Sequence, residues 1–136
     1  MAGTNHDALS DFIEVVFNRG DTEAADGYFE PSLVDHAPWP DQPATVAGFK
    51  AGLAELRSSF PDLRMVLERT VVEGDLVVGH CTMSGTHLGE FMGAAPSGRT
   101  FSVEAIDIVR MRDGRIAEHW GVVDEAGIAR QLGLSA

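Results

Sequence analysis

The sequence has 136 residues, the length of one domain, and its 44% hydrophobic and 23% charged residues are typical of a folded globular chain. Ten Lys and Arg residues stand against 21 Asp and Glu residues, and the net charge of −11 repels nucleic acid and anionic lipid. The single cysteine, Cys81, excludes an internal disulfide and a cysteine-rich zinc site. We therefore expect one domain over residues 1–136 that binds neither nucleic acid nor a membrane.

The start of the chain, MAGTNHDALSD, lacks the basic residues and the apolar run of a signal peptide. No run of about 18 apolar residues, which a membrane-spanning helix needs, occurs anywhere. A chain without these signals and with one cysteine is expected in the reducing cytoplasm.

Hydrophobic residues in the first half of the chain recur at the spacing of amphipathic helices. The first helix is predicted from Leu9, Phe12, Ile13, Val16 and Phe17. Gly20 and Asp21 end it and begin a short second helix that runs through Tyr28 and Phe29. The third helix is predicted from Val46, Phe49, Leu53, Leu56 and Phe60. Pro61 ends it, because the residue before a proline is disfavoured in helical geometry.

From Leu63 onward the hydrophobic period changes to two, which predicts strands. The predicted strands are residues 64–72, 76–88, 99–112 and 115–123, with a tight turn at Asp113-Gly114 between the last two. Asp124 then caps a short C-terminal helix that Gly133 ends. The predicted class is α+β: a cone-shaped, curved antiparallel sheet of about four strands, covered by three N-terminal helices, with room for a small molecule between them.

The register of the last hairpin decides whether Asp107 and His119 can meet. Side chains alternate between the faces of a strand, and a strict two-residue turn at Asp113-Gly114 pairs Asp107 with Trp120. Asp107 and His119 then lie on opposite faces. A one-residue bulge, common in bent strands beside active sites, would return them to one face. The strict register and an Asp107–His119 pair are therefore mutually exclusive.

Several stretches form a recognisable combination along nearly the whole chain. They are FNRGD at 17–21, FPDL at 60–63, SGTHLGEF at 84–91, PSGR at 96–99 and DGRIAEHW at 113–120, followed by Asp124 and QLG at 131–133. In this order they resemble the SnoaL-like polyketide cyclase family of the nuclear transport factor 2-like superfamily. The resemblance implies an α+β cone with a deep apolar pocket, a homodimer through the outer sheet face, and neither a metal nor an organic cofactor.

The resemblance also implies a reaction, the intramolecular aldol closure of a polyketide ester by a pocket carboxylate that removes a carbon-bound proton. In the characterised cyclases this base lies two residues after the histidine that matches His119. Here that position is Gly121. Because glycine cannot accept a proton, the aldol reaction does not transfer to this chain as it stands.

Asp107 and His119 are the first candidates for catalysis. Imidazole titrates near neutrality and can pass a proton in either direction. Asp107 lies between two isoleucines, where burial would raise its pKa and a protonated His119 would lower it. The alternatives are a salt bridge from Asp107 to Arg110 or Arg112 and a structural role for the histidine.

The segment that follows the second helix supplies further candidates. His36 is expected to polarise a substrate carbonyl, and Trp39, with Phe49 of the third helix, is expected to bind an aromatic substrate. Ordinary packing is the alternative for each of them. No His-x-His or HExxH spacing occurs, so no metal site is expected.

These residues leave three hypotheses for function. The first is an enzyme without cofactor that moves a proton on a hydrophobic, carbonyl-containing small molecule, giving cyclisation, isomerisation or dehydration. The second is a protein that binds such a molecule without reaction, which Gly121 would allow. The third is epoxide hydrolysis, which ranks last because the sequence reveals no second acid in the pocket.

Overall fold

The structure is a computed structural model that describes residues 4–134. Residues 1–3 and 135–136 lie outside the described residues. The predicted domain includes them, and residues 1–3 begin the N-terminal stretch discussed above. The elements in chain order are α1 (Asn5–Phe12), a π-helical turn (Ile13–Asn18), a 3₁₀ helix (Thr22–Gly27), β1 (Phe29–Asp35), α2 (Val46–Ser59), β2 (Arg64–Glu73), β3 (Leu76–Thr86), β4 (Thr100–Arg112), β5 (Arg115–Val123) and α3 (Glu125–Leu132).

Local sequence explains where the helices begin and end. Thr4 and Asp7 form a reciprocal capping box at the start of α1, and Thr45 caps α2 through the backbone N–H of Gly48. Asp124 caps α3, and Gly133 ends it in the left-handed conformation, as predicted.

The five strands form one sheet in the order β1-β5-β4-β3-β2, in which β1 runs parallel to β5 and the other neighbours are antiparallel. The α+β class with helices on a curved sheet is confirmed, but the prediction of four strands missed β1. The predicted second helix was also too long, because it ends at Gly27 and Phe29 already belongs to β1. Pro31 is tolerated in β1 because this strand lies at the edge of the sheet.

The last hairpin combines a two-residue turn with a bulge. Asp113 and Gly114 both have positive φ, and Met111 pairs with Ile116 as the strict register requires. Arg110 then pairs with Glu118, so Ala117 is an extra residue in β5 and Asp107 pairs with Gly121. The strict register therefore does not continue beyond Met111, and the one-residue bulge puts Asp107 and His119 on one face, which is the alternative that the sequence left open.

The inner face of the sheet packs on the helices and carries the core. Alternating residues of β4, including Val103, Ala105 and Val109, are buried there, as are Phe12 and Phe17 from the helical side. The alternate residues face outward and remain more exposed. Among the described residues, no helix is long and apolar enough to cross a membrane.

Candidate functional site

The inner face holds a histidine between two aspartates. His119 of β5 donates from Nδ1 to Oδ1 of Asp35 and from Nε2 to Oδ1 of Asp107, each over 2.8 Å. Because both acceptors are carboxylates, both ring nitrogens must carry a proton for the two hydrogen bonds to form. The geometry therefore favours an imidazolium ion held between two carboxylates.

The electrostatics of this cluster agree with its geometry. Burial by itself would lower the pKa of His119, but the hydrogen bonds and charges of Asp107 and Asp35 outweigh it and raise the pKa to about 9. Burial opposes ionisation of Asp35, yet the hydrogen bonds from His119 and from the backbone N–H of Ala37 hold its pKa below the usual range. At neutral pH the cluster thus carries a positive ring and an ionised Asp35.

The two carboxylates differ in how accessible they are. The Asp35 side chain is 5% exposed, whereas that of Asp107 is 29% exposed and that of His119 is 21% exposed. Within residues 4–134, the only hydrogen bond of the Asp107 carboxylate is the one that Oδ1 accepts from His119, so Oδ2 is unengaged. Asp107 is therefore the carboxylate that a bound molecule can reach, and Asp35 holds the ring from behind.

Backbone pairing explains why Asp35 and His119 meet. They are direct partners in the parallel pairing of β1 with β5, and the backbone N–H of His36 donates to the carbonyl of His119 over 2.9 Å. Sequence reasoning missed Asp35 because it missed β1. Strand alternation between Asp35 and His36 was the available signal, since only one of two consecutive strand residues can face the interior.

Small and apolar residues surround Asp107 on the inner face. Its neighbours across the sheet are Gly79 in β3 and Gly121 in β5. Leu67 occupies the space over Gly79. Nearby Cys81 is buried, and burial together with the charge of Asp107 raises the pKa of its thiol to about 12. Cys81 is consequently a neutral, unreactive thiol.

His36 lies on the other face of the sheet. Its ring stacks on Trp120 with centroids 5.1 Å apart, and its Nε2 lies 2.7 Å from Oε2 of Glu118. Glu118 and Trp120 alternate with His119 along β5 and so face outward. The structure therefore does not bring His36 to Asp107, and we leave it out of the catalytic set.

Trp39 and Phe49 lie together in an aromatic cluster. Phe49 of α2 packs against Trp39, Phe12 and Phe29, with ring centroids 5.0–6.0 Å apart. The buried indole Nε1 of Trp39 has no hydrogen-bond partner among the residues that the structure describes. Both residues pack on the helical side of the inner face, and a role in binding substrate stays a prediction.

Two open cavities lie away from the Asp107–His119 pair. One of about 540 Å³ is lined by α1, the π-helical turn and the start of β2, with Glu14, Asn18 and Arg64 among its residues. The other, of about 280 Å³, lies between residues 92–94 and 129–134. Among residues 4–134, no three His, Cys, Asp or Glu side chains are arranged to hold a metal ion.

Comparisons with known proteins agree with this fold. The family model described as SnoaL-like polyketide cyclase matches residues 7–132. Nogalonic acid methyl ester cyclase of Streptomyces nogalater is 32% identical over 126 residues, covering 86% of this chain and 89% of that protein. The chain belongs to the SnoaL-like polyketide cyclase family.

Solved structures extend the likeness to three dimensions. Wild-type IdmH of Streptomyces antibioticus superposes with a TM-score of 0.86 at 34% identity, covering 96% of this chain and 99% of that one. TsrD of Streptomyces laurentii superposes with a TM-score of 0.84 at 34% identity, covering 96% and 95%. Membership of the SnoaL-like family thus rests on the sequence and on the cone fold.

Proposed function

We propose that this chain is a cofactor-independent cyclase in which Asp107 is the general base. The observation that carries the proposal is the accessible Asp107 carboxylate, which accepts from a His119 ring that Asp35 holds on its other side. The proposed substrate is a hydrophobic polyketide ester, since the relatives are cyclases of nogalonic and aklanonic acid methyl esters.

In the proposed reaction, Asp107 removes a proton from a carbon between two carbonyl groups and leaves an enolate. The enolate carbon attacks a second carbonyl of the same molecule, forming the ring bond, and the resulting alkoxide takes the proton back from Asp107. The protons balance and the carboxylate is regenerated. Because a carboxylate is a weak base, the carbon–hydrogen bond must be activated by its neighbouring carbonyls. The positive charge of His119 lies close to the developing negative charge and stabilises it.

The experiment follows deuterium incorporation into nogalonic acid methyl ester and its ring-closed product in deuterated water, by mass spectrometry. We expect Asp107→Asn to slow exchange and closure by roughly 100- to 10,000-fold, the usual contribution of a general base. Asp75→Asn is the matched control, because Asp75 is an exposed carboxylate paired with Arg110. Exchange that Asp107→Asn leaves unchanged would contradict the role of Asp107. Recovery of bound, unaltered ester from the wild-type protein would favour the binding hypothesis instead.

Epoxide hydrolysis deserves comparison, because the second acid that the sequence did not reveal is present as Asp35. Two carboxylates on one cation resemble the arrangement that holds water in epoxide hydrolases of this superfamily. Such a reaction also needs a group that donates a proton to the epoxide oxygen. Asp35 is poorly suited to that task, since its pKa is lowered and its side chain is 5% exposed. Ring closure through Asp107 therefore remains the better proposal.

We also propose that the chain forms a homodimer through the outer face of its sheet, as the family resemblance implies. Ile106 and Val122 are direct partners on neighbouring strands of that face and are 41% and 69% exposed. Val34 of β1 is exposed on the same face. Exposed apolar side chains on one face of a sheet favour association with a second copy.

A further inference from the structure

Gly121 lies directly opposite Asp107 on the inner face of the sheet. A side-chain carbon at residue 121 would lie 2.6 Å from Oδ1 of Asp107 and 3.0 Å from Nε2 of His119. Both distances are shorter than van der Waals contact. Gly121 does not have a positive φ, so its backbone would accept any residue. A side chain at residue 121 would therefore force Asp107 or His119 to shift.

The direction of the Asp107 side chain explains this requirement. His119 is the direct partner of Val109, two residues further along β4, so Asp107 meets it diagonally across the ladder. Diagonal neighbours are roughly 7–8 Å apart at their backbones, which a short side chain spans only by leaning toward its partner. Asp107 leans over Gly121, and a side chain at residue 121 would occupy that path.

We propose that Gly121 is a positioning residue: because it has no side chain, Asp107 can reach His119. The carboxylate that contacts His119 can then come from residue 107 on one strand or from residue 121 on the facing strand. This inference rests on the proposed function only in taking Asp107 as the base. An aspartate at residue 121 has its side-chain carbon next to Nε2 of His119. With residue 107 reduced to glycine, that carboxylate has room to accept the same hydrogen bond.

The pKa of His119 reports the contact without any substrate. The charged groups that face its ring are Asp107 from β4 and Asp35 from β1. Cys81 on β3 is a neutral thiol, and His36 lies on the opposite face, next to Asp35 along the chain. Loss of the Asp107 contact leaves only Asp35, and the pKa should fall from about 9 by roughly one unit or more.

The experiment measures the pKa of His119 by NMR titration of the histidine rings. We expect Gly121→Ala and Asp107→Gly each to lower it, and the double variant Asp107→Gly with Gly121→Asp to return it toward the wild-type value. Gly27→Ala is the matched control, because a side-chain carbon there contacts nothing within 4 Å. A folded Gly121→Ala variant with an unchanged pKa would overturn the proposal, as would a double variant no higher than Asp107→Gly alone. If Gly121→Ala does not fold, the comparison of the double variant with Asp107→Gly decides, since Asp107→Gly removes the closer of the two contacts at residue 121, the one of 2.6 Å.

The deuterium assay separates this inference from the proposed function. If the double variant restores both the pKa of His119 and the deuterium exchange, the result supports the positioning role of Gly121 and the proposed function. Restored pKa without exchange supports the positioning role of Gly121 and argues against a carboxylate base at this point.

Discussion

At the scale of single residues, the charge state of His119 sets what the site can do. A ring with a pKa of about 9 is a cation at neutral pH and cannot serve as the base. In the proposed reaction it holds Asp107 in place and stabilises negative charge beside it. Asp35 contributes from the protected side, because its carboxylate is buried and already engaged with Nδ1.

This arrangement predicts a pH-dependent contribution to stability. The folded-state pKa of His119 is about 9 against an ordinary value of 6.5, so its stabilisation is complete below pH 6.5 and is lost as the pH rises through 9. A shift of this size corresponds to at most about 3 kcal/mol. We expect Asp35→Asn to lower the free energy of unfolding by roughly 1–2 kcal/mol at pH 6, and by much less at pH 10, where the ring is neutral.

Urea unfolding at both pH values measures the difference. Cys81 ionises above pH 9 only in the unfolded chain, and this affects wild type and variant alike and cancels in the comparison. Asp75→Asn is the control, because its partner Arg110 stays charged throughout this range. If Asp35→Asn lowers the free energy of unfolding by the same amount at pH 6 and at pH 10, the result would contradict a charged His119.

Gly121 is the position at which the proposed mechanism departs from the family pattern. The resemblance assigns a base to this position, and the glycine there suggested that the base had been lost. The structure instead has the carboxylate of Asp107 over Gly121, delivered from the facing strand. Side chains that face each other across a sheet can supply a group to the same point in space, which sequence position does not reveal.

At the scale of secondary-structure elements, the strands that sequence periodicity predicted are those with local, antiparallel neighbours. The bounds of β5 and the turn at Asp113-Gly114 were predicted correctly from alternation and turn chemistry. β1 was missed, since its parallel partner β5 lies about 80 positions away in sequence and a proline interrupts its strand pattern. Local patterns carry no information about such a distant pairing.

The site was predictable to the same extent as the strands that carry it. Asp107 was chosen from its residue type and its apolar neighbours, and His119 from its residue type and the family resemblance; the structure has them in contact. Their meeting depends on the bulge at Ala117, which nothing in the alternation of β5 indicates. Asp35 depends on β1 and was missed with it, while His36 was chosen although it faces outward.

Helix α2 packs closely against Trp39 in the segment before it, and this contact predicts how a substitution in α2 changes stability. A side-chain carbon at Gly52 would overlap Cβ, Cγ and Cδ1 of Trp39. Alanine in place of glycine normally stabilises a helix by about 1 kcal/mol. Here we expect Gly52→Ala to destabilise the protein by roughly 1–3 kcal/mol, because overpacking outweighs helix propensity.

Thermal or urea unfolding measures whether Gly52→Ala lowers or raises the free energy of unfolding. Fluorescence of Trp39, recorded in a Trp120→Phe background, should shift as the indole leaves its apolar contacts. Gly27→Ala serves as the control because the space around it is open. A Gly52→Ala protein more stable than wild type would show that Trp39 moves aside without cost.

At the scale of the whole molecule, the two faces of the sheet have different roles. The inner face is covered by helices and holds the Asp107–His119 pair. On the outer face, the exposed Ile106–Val122 pair is accompanied by charges of both signs, such as the ion pair of Arg110 with Asp75. With a net charge of −11, two chains would repel at long range, so association must rely on this local apolar contact.

The proposed homodimer predicts that a charge placed on the Ile106–Val122 contact will prevent association. Sedimentation velocity of the wild-type protein should give twice the chain mass, and Val122→Glu should give a monomer, because an unpaired carboxylate would be buried at the interface. Val72→Glu is the matched control: Val72 is also exposed, but it pairs with the buried Val77 and so does not face outward. Val122→Glu should leave the pKa of His119 near 9, because that ring lies on the other face. A wild-type monomer at all concentrations, or a Val122→Glu dimer, would mean that the outer face does not join two copies.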